Sequence, residues 1–178
     1  MSQELITYIV LGSHERLKGL KLPPSSNKEE YVLTNFSKDE SFEKTIDNII
    51  FNSKGNLVVL LPPSALPNQK SKETLRKISM IDQSSWGWFK YNDRKNNFIK
   101  SLKKISSSVR SIPNIEQGIY FTKRLYFSVG GIGKFGKTPF NEISKRFYSR
   151  IDPQNPLPAL IIRTKNLDIF QKWIIKHL

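Results

Sequence analysis

The sequence predicts a single α+β domain spanning residues 1–178, with a mixed sheet of about four to five strands packed with about five helices. Three observations predict it. Short β-branched and apolar runs read as strands. Amphipathic stripes at helical spacing are interleaved with them irregularly, which favours α+β over a doubly wound sheet. The length, 178 residues with 38% hydrophobic and 25% charged side chains, suits one folded core.

Residues 5–11 are β-branched and aromatic and stop at Gly12, which reads as a first strand. Pro23, Pro24, Ser25 and Ser26 mark a loop, and residues 31–36 give a second short strand. Over residues 41–53, Phe42, Ile46, Ile49 and Ile50 fall on one face at i, i+4, i+7 and i+8, so a helix is expected, with Gly55 as its C-cap. Residues 57–61 are a continuous apolar run of strand length. Residues 62–70 read as an internal loop, because the 55 residues before it are too few for a separate domain without metal or disulfide. Residues 71–81 are expected to be helical, with Leu75, Ile78 and Ile81 inward.

The clearest helical stripe is Phe98, Leu102, Ile105 and Val109 within residues 94–110, ended by Ile112-Pro113. Residues 119–129 alternate at period two, as a long strand should, with Tyr120, Thr122, Arg124, Tyr126 and Ser128 on the polar face. Gly130, Gly131, Gly133 and Gly136 make a turn. Thr138 and Pro139 then read as N-cap and first position of a helix with Phe140, Ile143 and Phe147 inward. A loop over 152–158, a short strand over 159–162 and a last helix from Asn166 to 175 complete the pattern.

Composition excludes several chemistries. The chain has no cysteine, which removes disulfides, thiolate zinc sites and cysteine nucleophiles, and its two histidines cannot build a multi-histidine metal site. No apolar run approaches the roughly 20 residues of a membrane span. The first ten residues carry Glu4 and no Lys or Arg, unlike a secretory or transit leader. An intracellular location, cytoplasmic or nuclear, is expected, with a virion as the alternative. Scattered acids and no plausible Ser-His-Asp set predict a protein that is not an enzyme and takes no cofactor or metal.

The net charge is +14, and its distribution is uneven. Residues 1–55 hold seven basic and eight acidic residues, net −1, whereas residues 56–178 hold 22 and seven, net +15. Such a field attracts polyanions, with nucleic acid or an anionic membrane surface as the usual partners. Four constellations refine that expectation. Trp86, Trp88 and Lys90, followed by Arg94 and Lys95, interleave aromatics with cations as base-stacking sites do; the competing reading puts the rings at a corner of the core. Tyr120, Arg124 and Tyr126 would line a sheet face like the stacking platform of sheet-based RNA binders, although no RNP1 run is present. Lys100, Lys103 and Lys104 lie on a helix that has no acid between Arg94 and Arg110, and so present a phosphate-facing surface.

The fourth constellation is the run from Gly131 to Thr138, which matches the GxxxxGKT pattern. A nucleotide-using enzyme is one reading of it. Only 40 residues follow, however, and their one further strand runs into Arg163 and Thr164 rather than into an aspartate that could hold magnesium. The expectation is therefore narrower: Lys134, Lys137 and Thr138 hold one phosphate of a larger polyanion. Together these features predict a non-catalytic protein binding RNA or single-stranded nucleic acid through Lys/Arg phosphate contacts and aromatic stacking. The alternative is a virus matrix-type structural protein that touches ribonucleoprotein and anionic membrane. Oligomeric state is not legible from the sequence.

Overall fold

Five consecutive apolar residues, Leu57–Leu61, form a strand in which every side chain is buried, and the architecture is arranged around it. The computed structural model describes residues 5–37, 41–91, 110–136, 138–164 and 167–169. Its strands are β1 (Ile6–Val10), β2 (Glu29–Leu33), β3 (Leu57–Leu61), β4 (Ala65–Leu66), β5 (Trp86–Gly87), β6 (Ile119–Thr122) and β7 (Ile161–Ile162). The helices among the described residues are α1 (His14–Leu17), α2 (Phe42–Asn52), α3 (Gln69–Met80), α4 (Lys123–Ser128) and α5 (Asn141–Tyr148).

The main sheet has the order β2-β1-β3-β6-β5, and β4 and β7 form a separate antiparallel pair. β1 runs parallel to β2 and β3, while β6 is antiparallel to β3 and β5. This is a mixed sheet in one α+β domain, as the sequence predicts. Register assigns side chains to two faces. Tyr8, Val59 and Tyr120 are neighbours on one face, and Ile9, Leu60 and Ile119 on the other. α3 covers the first face with Leu75. α2 covers the second with Phe42, Ile46 and Ile50, beside Ile143 and Phe147 of α5. Burial on both faces explains why β3 is a continuous apolar run and why β1 is buried at every position, including Thr7, rather than alternating.

The periodic helices start at capped ends. Ser41 accepts from the Lys44 amide at the head of α2, and Asn68 accepts from the Ser71 amide at the head of α3. The segment 62–70 is thus only partly loop, since it contains β4 and the start of α3. Residues 119–129 are not one strand. β6 stops at Thr122, which pairs with Leu57, the first residue of β3, and β5 offers only two residues on the other edge. With no partner backbone beyond that point, the chain turns into α4, so tertiary context overrides a strand-like pattern. α5 begins at Asn141 with Phe140 in the cap position and no side-chain cap bond, so Thr138 is not its N-cap. The expected helices over 94–110 and 166–175 lie outside the described residues, apart from Arg110 and residues 167–169.

One charged cluster ties the edge strand to α3. Glu29 of β2 is buried and accepts from Lys72 Nζ at 2.8 Å, Arg76 at 2.8 Å and the Tyr31 hydroxyl at 2.8 Å. Lys72 also donates to the Tyr31 hydroxyl at 2.7 Å and lies over the rings of Tyr8 and Tyr31. Burial pushes the Glu29 carboxyl up, but the hydrogen bonds from Lys72, Tyr31 and Arg76 outweigh it and hold it below its ordinary value of 4.5. A lowered folded pKa stabilises the native state above the unfolded value, and that contribution is lost as pH falls through the folded pKa. We expect Glu29→Ala to cost about 3 kcal/mol in urea unfolding at neutral pH, because it leaves Lys72 and Arg76 uncompensated. The difference between variant and native chain should shrink on acidification below 4.5.

Candidate nucleic-acid interface

The aromatic run 86–91 lies in the core. Trp86 in β5 is fully buried and Trp88 is 8% exposed. The Trp86 indole donates to the Ile151 carbonyl at 3.0 Å, and its ring meets Trp88, Phe147 and Tyr148. Phe89 is buried on the opposite face, near Tyr120. Successive residues can all be buried here because both faces of the sheet are covered. The stacking role expected of Trp86 and Trp88 is corrected accordingly: their rings are core. Lys90 is exposed, with its amide donating to the Leu157 carbonyl.

The expected tyrosine platform is corrected in the same way. Tyr120 is fully buried on β6. Tyr126 belongs to α4 rather than to a strand, is fully buried, stacks on Phe121 and donates its hydroxyl to Asp47. Burial pushes both phenols up, and for Tyr126 the Asp47 hydrogen bond adds to it. Of this set only Arg124 is exposed. Arg94, Lys95, Lys100, Lys103, Lys104 and Lys137 lie outside the described residues.

The glycine-rich turn binds carboxylates of its own chain. Asp47 of α2 accepts from the Ile132 amide at 3.0 Å, Glu43 accepts from the Phe135 amide at 3.1 Å, and Glu142 of α5 accepts from the Lys134 amide at 2.9 Å. Gly131 has φ +86° and a Cβ there would meet Asp47 Oδ1 at 2.9 Å, so glycine is required for this approach. In a phosphate loop such amides face the ligand. Here three of them already have anionic partners, which removes the amide cradle from the phosphate site expected at Lys134, Lys137 and Thr138. Lys134 and Thr138 keep exposed side chains. Burial raises the Glu43 carboxyl, but amide hydrogen bonds, Ser41 and the Lys134 charge bring it below its ordinary value.

An exposed aromatic pair sits elsewhere. Phe51 near the end of α2 is 71% exposed and Phe127 of α4 is 47% exposed, with ring centroids 6.3 Å apart at 78°. Lys123 fixes the two helices together, since its Nζ donates to the carbonyls of Phe51 at 3.2 Å and Ser53 at 2.8 Å. Burial holds its pKa below the ordinary value, against the charge of Glu30. Arg124 lies three residues before Phe127 and shares its helix face. A groove of about 140 Å³ lies at Lys123 and Arg124, lined also by Asn56, Ile81, Asp82 and Gln83 among others. It is small beside the roughly 300–1,000 Å³ of sites that enclose a small molecule.

Sequence reasoning missed both phenylalanines. Phe51 carried a usable signal: nine residues after Phe42, it lies about 180° around the helix from it. Phe127 carried none, because strand alternation put it on the same side as the buried Phe121. Among the described residues no His/Asp/Glu group could hold a metal ion, and no helix is long and apolar enough to cross a membrane. No protein-family model, curated protein or solved structure matches the chain.

Two outcomes follow from this geometry. In a Trp173→Phe variant, which leaves Trp86 and Trp88 as the emitters, saturating oligonucleotide should leave tryptophan emission essentially unchanged, as titration by fluorescence will show. Asp47→Ala should cost about 2–3 kcal/mol, since it strands the buried Tyr126 hydroxyl and the Ile132 amide. Urea unfolding measures the loss, and hydrogen exchange at Ile132 should accelerate more than in β3.

Proposed function

We propose that this protein is a non-catalytic binder of polyanions whose partner is RNA or single-stranded nucleic acid. The observation that carries the reading is the excess of cations over carboxylates, with many of those cations exposed. With 29 Lys+Arg against 15 Asp+Glu, acids are already scarce. Five of them do internal work. Glu29 joins β2 to α3, Glu30 accepts from Thr7 and from the Lys54 amide, and Asp47, Glu43 and Glu142 hold the glycine turn. Ion pairs among the described residues include Lys72 and Arg76 with Glu29 and Arg146 with Glu142. Lys54, Lys90, Arg124, Lys134, Lys145 and Arg150 are exposed.

Glu15, Glu73, Asp82, Glu116, Asp152 and Asp168 are exposed as well, but with a net charge of +14 the cations outnumber them and the field favours phosphate. Phosphate contacts are proposed at Lys90, Arg124 and Lys134, and at Arg94, Lys95, Lys100, Lys103 and Lys104. Titrating a labelled single-stranded oligonucleotide at several salt concentrations tests this. Affinity should fall steeply with salt, by about 0.7 in log–log slope per phosphate neutralised. Replacing Lys100, Lys103 and Lys104 together by Gln should lower the slope by about 2. Absence of binding at low salt, or a flat slope, overturns the reading, and binding to anionic vesicles alone would replace it with the matrix-type one.

A further inference from the structure

We infer that the Phe51–Phe127 pair, with Arg124 beside it, is a base-stacking subsite for single-stranded nucleic acid. The inference rests on the polyanion-binding reading and adds a place and a mode to it. Scattered single apolar residues on a surface are ordinary, but two adjacent phenylalanines at 71% and 47% exposure form a patch. Phe51 lies opposite the buried stripe of α2, so the core does not require an aromatic there. The rings come from two helices and are held at 6.3 Å by a lysine that caps one helix from the first residue of the other. That mounting gives a preformed platform, and every base offers a π-face to it whatever its identity.

Charge selects the occupant. Lys123 is committed to two carbonyls, while Arg124 is exposed and, among the described residues, has no hydrogen-bond partner. An arginine on the same helix face as Phe127 can take a phosphate while its neighbour stacks the attached base. The adjoining groove mixes apolar surface with polar groups, lined by Asn56, Ile81, Asp82, Gln83, Lys123 and Arg124 among others. Interfacial membrane anchors favour tryptophan and tyrosine, and here the tryptophans Trp86 and Trp88 are core.

The experiment compares an unstructured single strand, the same strand with abasic positions, and the corresponding duplex, by anisotropy at fixed salt. The native chain should bind the intact strand more tightly than the abasic strand. Phe51→Ala should lose about tenfold for the intact strand and little for the abasic one, and Phe51→Tyr should keep most of the preference. Phe51 is exposed, so an unchanged Tm will show that the variant is folded. Arg124→Gln should weaken both strands and lower the salt slope by about 0.7. Equal affinity for intact and abasic strands, with steep salt dependence, overturns the stacking inference and leaves the polyanion reading standing. Absence of binding to any strand at low salt sinks both. Concentration-dependent dimerisation abolished by Phe51→Ala, or phosphatidylserine vesicles bound through Phe51 and Phe127, would also overturn the inference by assigning the rings to another partner.

Discussion

β3 has a paired strand on each edge and a covering layer on each face, and no residue in Leu57–Leu61 reaches solvent. β1 has the same surroundings. A sheet covered on both faces needs two sets of large side chains, one for each core. That demand draws in Trp86, Trp88, Phe121 and Tyr126 on one side and Tyr8, Phe89 and Tyr120 on the other. Aromatic residues that looked free to stack on a ligand are thereby spent on packing, where each contributes more area than any aliphatic side chain.

The second constraint is backbone satisfaction in the irregular parts of the chain. Between α4 and α5 the glycine turn has no strand or helix to pair with, and buried amides left without acceptors are costly. Carboxylates reach it from two neighbouring helices of one layer, Asp47 and Glu43 from α2 and Glu142 from α5. A loop that in a nucleotide-binding fold would wait for phosphate is closed here by the chain itself. Glu29 plays a comparable part across the sheet edge, where it gathers Lys72, Arg76 and Tyr31.

The outer surface is what these two demands leave behind. Five acids are engaged by the chain and most aromatics among the described residues are buried, so the exposed lysines and arginines outweigh the exposed acids and few large apolar groups meet solvent. Phe51 and Phe127 stand out because they are adjacent and next to Arg124. The proposed chemistry follows from that remainder: a field that attracts phosphate broadly, and one small place where a base can be held.

The sequence by itself determined the α+β class, the strands centred on residues 6–10 and 57–61, the buried stripe of α2 and the inward place of Leu75 in α3, whereas Ile81, expected inward, follows the last residue of α3 and is exposed. It also determined the excess of positive charge and the absence of cysteine chemistry. Those features are local, since periodicity over one or two turns reports which side of a segment meets the core. Tertiary structure decided the rest. Residues 119–129 alternate like a strand, yet β6 ends at Thr122 because its partner β3 begins at Leu57, and a ladder cannot outrun its neighbour. That single break turned Tyr126 into the core and Phe127 out to solvent. The burial of Trp86 and Trp88 and the carboxylate clasp on the glycine turn likewise depend on residues far along the chain, Ile151, Phe147, Asp47 and Glu142. No local pattern encodes such pairings, because the free energy that fixes them comes from groups brought together only when the chain has folded.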